Sequence, residues 1–293
     1  MTETKEPIIL NAINRLSEQF INKLGTLSSS EWEAPSHCHM WATKDVVSHM
    51  IATTGFFLNS VTKALQGDEL PPEGAPNPGV GNAATMGAGI ASRAIQISET
   101  DFHNYNSMLD TLRSMESDMA ETFHSIALQQ WNLGVYHPIN KISIRDILYL
   151  KLMESVLHSW DVLHALDKNY RIESESASIL TEVWTNPLLN RWFISPEEKF
   201  NTVTLDFHLS ANSKMRIISW NGNLEIMKPA FETDDQADAE IYTDSSLFSL
   251  LITARLNLDE AIQTGIASVP EIEKQQTNFT LGLKVHEIFN SES

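Results

Sequence analysis

Apolar side chains recur along the first half of the chain at steps of three and four, and after about residue 170 this rhythm gives way to alternation. Ile9, Ile13, Leu16, Phe20 and Leu24 mark an amphipathic helix over residues 7–25. Trp41-Ala42-Thr43 leads into a second helix, about 44–65, with Thr43 as its expected N-cap and Asp45 in the first turn, where negative charge suits the helix dipole. Met108, Leu112, Met115, Met119, Phe123 and Ile126 stripe a third, about 100–127, and these methionines read as core packing. The fourth, about 143–167, is apolar on most faces, with Ile147, Leu148, Leu152, Val156, Trp160 and Leu163 among its residues, so it must be largely buried. Four long helices with one buried predict a bundle.

Two segments break the helical rhythm. GDELPPEGAPNPGVGN, residues 67–82, is too rich in proline and glycine for regular structure, and its length suits either a surface excursion or a functional loop. WNLGVYHPINKIS, residues 131–143, is irregular, with Gly134 and Pro138 as breakers. Beyond residue 170 a helix at 175–185 precedes strand-like runs at 203–210, 215–220, 224–229 and 239–244. Asn221-Gly222 between the second and third of these runs is a hairpin signal. SSLFSLLITARLN and LDEAIQTG follow as helical segments, and a last helix is expected over 271–289. The fold expected is therefore an all-α region followed by α+β: a four-helix bundle over residues 1–170 and a smaller α+β domain over 171–293.

Charge narrows the partners. The formal net charge is -18 and no basic run interrupts it, so a duplex nucleic acid or an anionic bilayer would be repelled. No stretch approaches 18 consecutive apolar residues, and MTETKEPIIL lacks the basic and apolar regions of a secretory signal. The single cysteine, Cys38, excludes an intrachain disulfide framework and suits a reducing compartment, so a cytoplasmic location is expected.

The candidate chemistry lies on the fourth helix. Glu154 and His158 are four apart, which places both on one face with Cβ atoms about 5–6 Å apart. A carboxylate and an imidazole turned into a bundle core need a partner, and a metal ion satisfies both; a plain hydrogen-bonded or surface Glu–His pair is the competing reading. His49, within the core-facing run of Val46, Val47 and Met50, is a third donor on the second helix. Asp161, one turn after His158, either orients that imidazole as an acceptor or is a surface carboxylate. Asp45 reads as a helix-terminal charge. His37, Cys38 and His39 alternate ahead of a helix, a spacing that seldom converges on one ion. No phosphate loop, serine elbow or CxxC pair occurs.

Trp41-x-x-x-Asp45-Val46-x-x-His49, followed about a hundred residues later by Glu154-x-x-x-His158-x-x-Asp161, resembles the DinB-like superfamily and, within it, the mycothiol-dependent maleylpyruvate isomerase family. Ala239-Glu240-Ile241 through Gly265, with Leu250 to Arg255, is similar, more loosely, to the sterol-carrier-protein-like domain often fused to that bundle. The resemblance implies that His49, Glu154 and His158 are zinc ligands, and that Arg255 is the cation of the C-terminal domain, suited to a bidentate grip on a substrate carboxylate, with a plain surface arginine as the competing reading. Two histidines and a carboxylate leave coordination positions open, as in a catalytic site, and the same set also suits Fe(II) or Ni(II).

The activity so implied uses a low-molecular-weight thiol, whether mycothiol, bacillithiol, ergothioneine or glutathione, activated by the metal. Its partner substrate is a small unsaturated oxo-acid such as maleylpyruvate, isomerised from cis to trans, or an electrophile that keeps the sulfur. No cysteine falls inside the ligand motif, as expected if the thiol comes from outside. The alternatives are a non-catalytic metal- and lipid-binding module and a zinc hydrolase working through a bound water.

Overall fold

The computed structural model describes residues 5–80, 83–100, 102, 104–186, 203–210, 213–220, 223–228, 237–253, 255–256, 258–265 and 267–268. The chain divides into two compact units, Met1–Arg171 and Ile172–Glu292.

The first unit is helical. Its long helices are α1 (Lys5–Leu24), α3 (Thr43–Leu65), α4 (Ala83–Thr100), α5 (Tyr105–His124) and α6 (Ile144–Leu166), with a single-turn α2 (Ser29–Trp32). Helices α1, α3, α5 and α6 pack pairwise as the bundle, and α4 lies against α3. The stripe of α1 is buried as its spacing predicts, from Ile9 through Leu24, and α6 buries Ile147, Leu148, Leu152, Val156 and Trp160. Phe20, Leu24, Val46, Val47, Met50, Met108, Leu112 and Val162 interlock in one core cluster beside the chemistry described below.

Three expectations need correction. The helix expected over 100–127 begins at Tyr105, capped by Asn104, whose side chain accepts the Ser107 N–H. Residues 83–100, in which no stripe stood out, form α4, since small residues and glycines there leave few large apolar side chains to trace a face. Thr43 is the first helical residue and not the cap of α3: Ala42 takes the extended cap conformation, and the Asp45 carboxylate reaches back to accept the Ala42 N–H at 2.9 Å. Asp45 also accepts the Ser98 hydroxyl, which ties the start of α3 to α4.

Helix α6 starts with a full capping box, in which Ser143 and Asp146 each accept the other's backbone N–H. Ahead of it, short strands β1 (Gly134–Val135) and β2 (Ile142–Ser143) pair antiparallel. The proline-rich segment after α3 is fastened to this hairpin: Gly79 donates its N–H to the Pro138 carbonyl at 2.9 Å, and the Tyr136 hydroxyl donates to the Pro76 carbonyl at 2.8 Å.

The second unit is α+β. Strands β3 (Val203–Ser210), β4 (Ser213–Trp220), β5 (Asn223–Met227) and β6 (Ala239–Tyr242) form one sheet in the order β5-β4-β3-β6. Neighbours are antiparallel except β3 and β6, which run parallel. Trp220 pairs with Asn223, and the turn expected at Asn221-Gly222 lies outside the described residues. Helices α7 (Ser174–Trp184) and α8 (Ser245–Ile252) pack together, with the Trp184 indole N–H on Ser249, and Phe248 meets Phe207 of the sheet edge to face. A six-residue α9 (Leu258–Gln263) follows. The helix expected over 271–289 lies outside the described residues.

Candidate metal centre

The periodicity of α6 puts Glu154 and His158 on one side, and the facing turn of α3 supplies His49. One carboxylate oxygen, Glu154 Oε2, lies 2.9 Å from His49 Nε2 and 3.1 Å from His158 Nε2. The three donor atoms all fall within 4.8 Å of one another. The two rings meet nearly edge to face, with centroids 4.6 Å apart. The expected trio therefore converges at one point between α3 and α6.

The reverse side of His158 fixes what its Nε2 can do. Asp161, wholly buried, places Oδ2 2.9 Å from His158 Nδ1, so the Nδ1–H is held on the carboxylate and Nε2 is turned toward Glu154. Of the two readings of Asp161, an orienting acceptor and a surface carboxylate, the geometry keeps the first.

With Nδ1 protonated, a neutral His158 aims an Nε2 lone pair at Glu154 Oε2, and His49 brings a second ring nitrogen to the same oxygen. As bare lone pairs these three atoms would repel at such distances, so protons or a cation have to lie among them. In the metal-free arrangement a proton serves: burial works against an imidazolium at His158, but bonds to Asp161, Cys38 and Glu154 outweigh it and raise its pKa well above the usual histidine value. Glu154 is driven the other way. Burial would raise its carboxyl, yet the hydrogen bonds from His158 and His49 hold it well below the ordinary range. His49 is pushed down by burial and stays neutral, the form in which an imidazole ligates a metal. A set of two imidazole nitrogens and one carboxylate oxygen, buried on facing helices, fits a divalent ion that takes the place of the protons between them.

The loop ahead of α3 closes over this cluster. A Pro35–Ala42 bridge and bonds from Ser36 and Trp41 fold residues 35–42 into a tight turn, with Met40 at φ 65°. The turn places the Trp41 ring 5.2 Å from His49 and 6.4 Å from His158. It also carries Cys38 to the centre, Sγ 3.1 Å from Asp161 Oδ2 and 3.7 Å from His158 Nδ1. The expectation that the chain brings no cysteine to the motif is thus corrected. The thiol sits behind the imidazole, on its Nδ1 side, and donates to the carboxylate that orients it. His37 and His39 do not join it: both are exposed, and His37 packs instead on Trp160 and His164.

His137, in the segment before α6, was also unforeseen. It is buried against Phe56, and burial lowers its pKa to about 4 although the charge of Glu154 works in the opposite direction. Its Nδ1 accepts the Ile139 N–H, so the neutral ring carries its proton on Nε2. Arg255 belongs to the second unit, just past the end of α8, where its backbone N–H bonds the Leu250 carbonyl.

Two imidazoles and a carboxylate turned onto one point between facing helices of a bundle form a group that could hold a metal ion. The sequence profile described as the mycothiol maleylpyruvate isomerase N-terminal domain matches residues 13–163, more than half of the chain, and the protein belongs to that family. The matched span holds His49, Glu154, His158, Asp161 and Cys38.

A crystal structure of mycothiol-dependent maleylpyruvate isomerase superposes with a TM-score of 0.58 at 11% identity, over 86% of this chain and 90% of that one. The crystal structure of a histidine-to-alanine mutant of mycothiol-dependent maleylpyruvate isomerase gives 0.60 at 10% identity, over 92% and 95%. At these identities the likeness is one of fold. A sequence comparison with curated proteins finds no match. Among the described residues, no helix is long and apolar enough to cross a membrane.

Proposed function

We propose that this chain is a metal-dependent enzyme that uses a low-molecular-weight thiol to isomerise a small unsaturated oxo-acid of the maleylpyruvate kind, with His49, Glu154 and His158 as the ligands of a zinc ion. The observation that carries the reading is the meeting of His49 Nε2, Glu154 Oε2 and His158 Nε2 in one buried cluster. Family membership and the fold shared with mycothiol-dependent maleylpyruvate isomerase support the choice of reaction.

A zinc ion held there supplies a Lewis acid that acidifies a bound thiol, making it a nucleophile near neutral pH. Addition of that thiol to an activated double bond, rotation and elimination give the trans acid, whereas retention of the sulfur gives S-transfer. The chain's own residues set up the site. Asp161 holds His158 with Nε2 forward, burial keeps His49 neutral, and Trp41 covers both rings on one side. We assign to Arg255 the recognition of the substrate carboxylate, a role to which a planar guanidinium is suited.

The test is a panel of mycothiol, bacillithiol, ergothioneine and glutathione assayed with maleylpyruvate and with generic electrophiles on zinc-loaded protein. Thiol-dependent formation of the trans acid, reduced in Arg255→Ala with zinc content unchanged, is the expected result. A stable thioether product in place of isomerisation assigns S-transfer. Turnover that needs the metal but no thiol identifies a hydrolase, and metal binding with no turnover on any substrate leaves a binding module.

A further inference from the structure

We propose that the buried ion pair between Lys151 and Glu116 is a positioning device that fixes the register of α3 against α6 and so brings His49 onto Glu154 and His158; the proposal deepens the metal-site reading and rests on it. Lys151, on α6, is 1% exposed and Glu116, on α5, 8%. Lys151 Nζ donates to Glu116 Oε1 at 2.5 Å and to Thr54 Oγ1 of α3 at 3.1 Å. The Thr54 hydroxyl donates onward to Glu116 Oε1 at 3.1 Å, and Ser17 of α1 donates to Glu116 Oε2 at 2.8 Å. One charge pair and two hydroxyls therefore bind together all four helices of the bundle.

The position of this knot gives it a role beyond cohesion. Thr54 lies five residues beyond His49 on α3, about 7.5 Å along the axis at 1.5 Å per residue. Lys151 lies five residues before the midpoint between Glu154 and His158 on α6. The contacts between α3 and α6 thus form two rungs in one antiparallel register, Thr54 with Lys151 and His49 with Glu154 and His158. A slip of one residue between the helices moves the upper rung by about 1.5 Å along the axis and turns the donors out of line.

Apolar contacts tolerate such a slip, because leucine and isoleucine repack at modest cost. The ion pair joins α6 to α5 and is tied to α3 by the Thr54 hydroxyl, so a slip of α3 strips hydrogen bonds from a buried charged pair that has no water to replace them. Replacing a buried pair with apolar residues is often neutral or stabilising, so the pair's contribution is expected in specificity more than in stability.

The experiment replaces the pair as a unit, Glu116→Leu with Lys151→Met, in the full-length chain. Spin labels at Thr62 on α3 and Ala165 on α6, in a Cys38→Ser background, read the register without metal. A chelator competition reads zinc affinity, and thermal melting reports stability. The proposal expects a folded variant whose interhelical distance distribution broadens and whose zinc affinity falls at least about tenfold, since misplacement of an ångström suffices for losses of that size. The exchanged pair, Glu116→Lys with Lys151→Glu, is expected to restore both. Should the apolar variant not fold, Glu116→Gln with Lys151→Met carries the same expectation.

A folded variant with the distance distribution and zinc affinity of the starting protein overturns the proposal. If the starting protein itself binds no zinc, the metal reading falls, and the spin-label distances alone then decide the register.

Discussion

Two buried polar clusters lie about one and a half helical turns apart in the same bundle, and they are built on opposite principles. Around Lys151 and Glu116 positive charge meets negative charge and each hydroxyl fills a remaining site, so the group is complete. Around Glu154 two imidazole nitrogens crowd one carboxylate oxygen, a donor set that suits a divalent ion. Burial alone therefore does not mark function; the kind of donor atoms gathered at one point does. The first cluster is expected to answer to mutation in stability and register, and only through register in metal binding, the second in metal binding directly.

The largest expected effect breaks the complete cluster from one side. Lys151→Met alone strands the Glu116 carboxylate in the core and is expected to cost about 3–5 kcal/mol, visible as a lowered midpoint in denaturant. A loss within experimental error would show that Glu116 escapes to water or binds a proton at little cost.

Next comes Asp161→Asn, which keeps the shape beside His158 but removes the charge that holds Nδ1–H. Zinc affinity is expected to fall about 10–100-fold with little change in melting temperature, whereas the Lys151 variant is expected to lose stability as well. Equal affinity in Asp161→Asn and wild type would reduce Asp161 to packing. The smallest effect is that of Cys38→Ala. Losing one thiol donor to Asp161 should shift zinc affinity by roughly tenfold or less, in line with about 0.5–1.5 kcal/mol for a single hydrogen bond. An effect as large as that of His158→Ala would make Cys38 a ligand.

What could be read from the sequence follows the range of the forces involved. Glu154 and His158 share a face because a helix has a fixed period, and a core-facing His49 is legible on the same grounds. The alternating strands of the second unit, and the hairpin signal at Asn221-Gly222, are equally local. Cys38 was not legible: its reach to Asp161 depends on a turn closed by Ser36 and Trp41, with Met40 in a backbone conformation that its residue type does not announce. Helix α4 escaped because a segment of small residues traces no apolar face.

The complete cluster did leave a trace. Glu116 falls within the buried stripe of Leu112, Met119 and Phe123, and Lys151 interrupts an apolar helix, so each was a buried charge in want of a partner. Pairing them needed the packing of α5 on the bundle, which periodicity does not supply.

The central claim, that His49, Glu154 and His158 hold one metal ion, is tested most directly by zinc titration of the wild type alongside His49→Ala and His158→Ala, with folding checked by circular dichroism. One equivalent bound tightly by the wild type, and binding lost in both folded variants, is the predicted result. Full stoichiometry at unchanged affinity in either variant would contradict it.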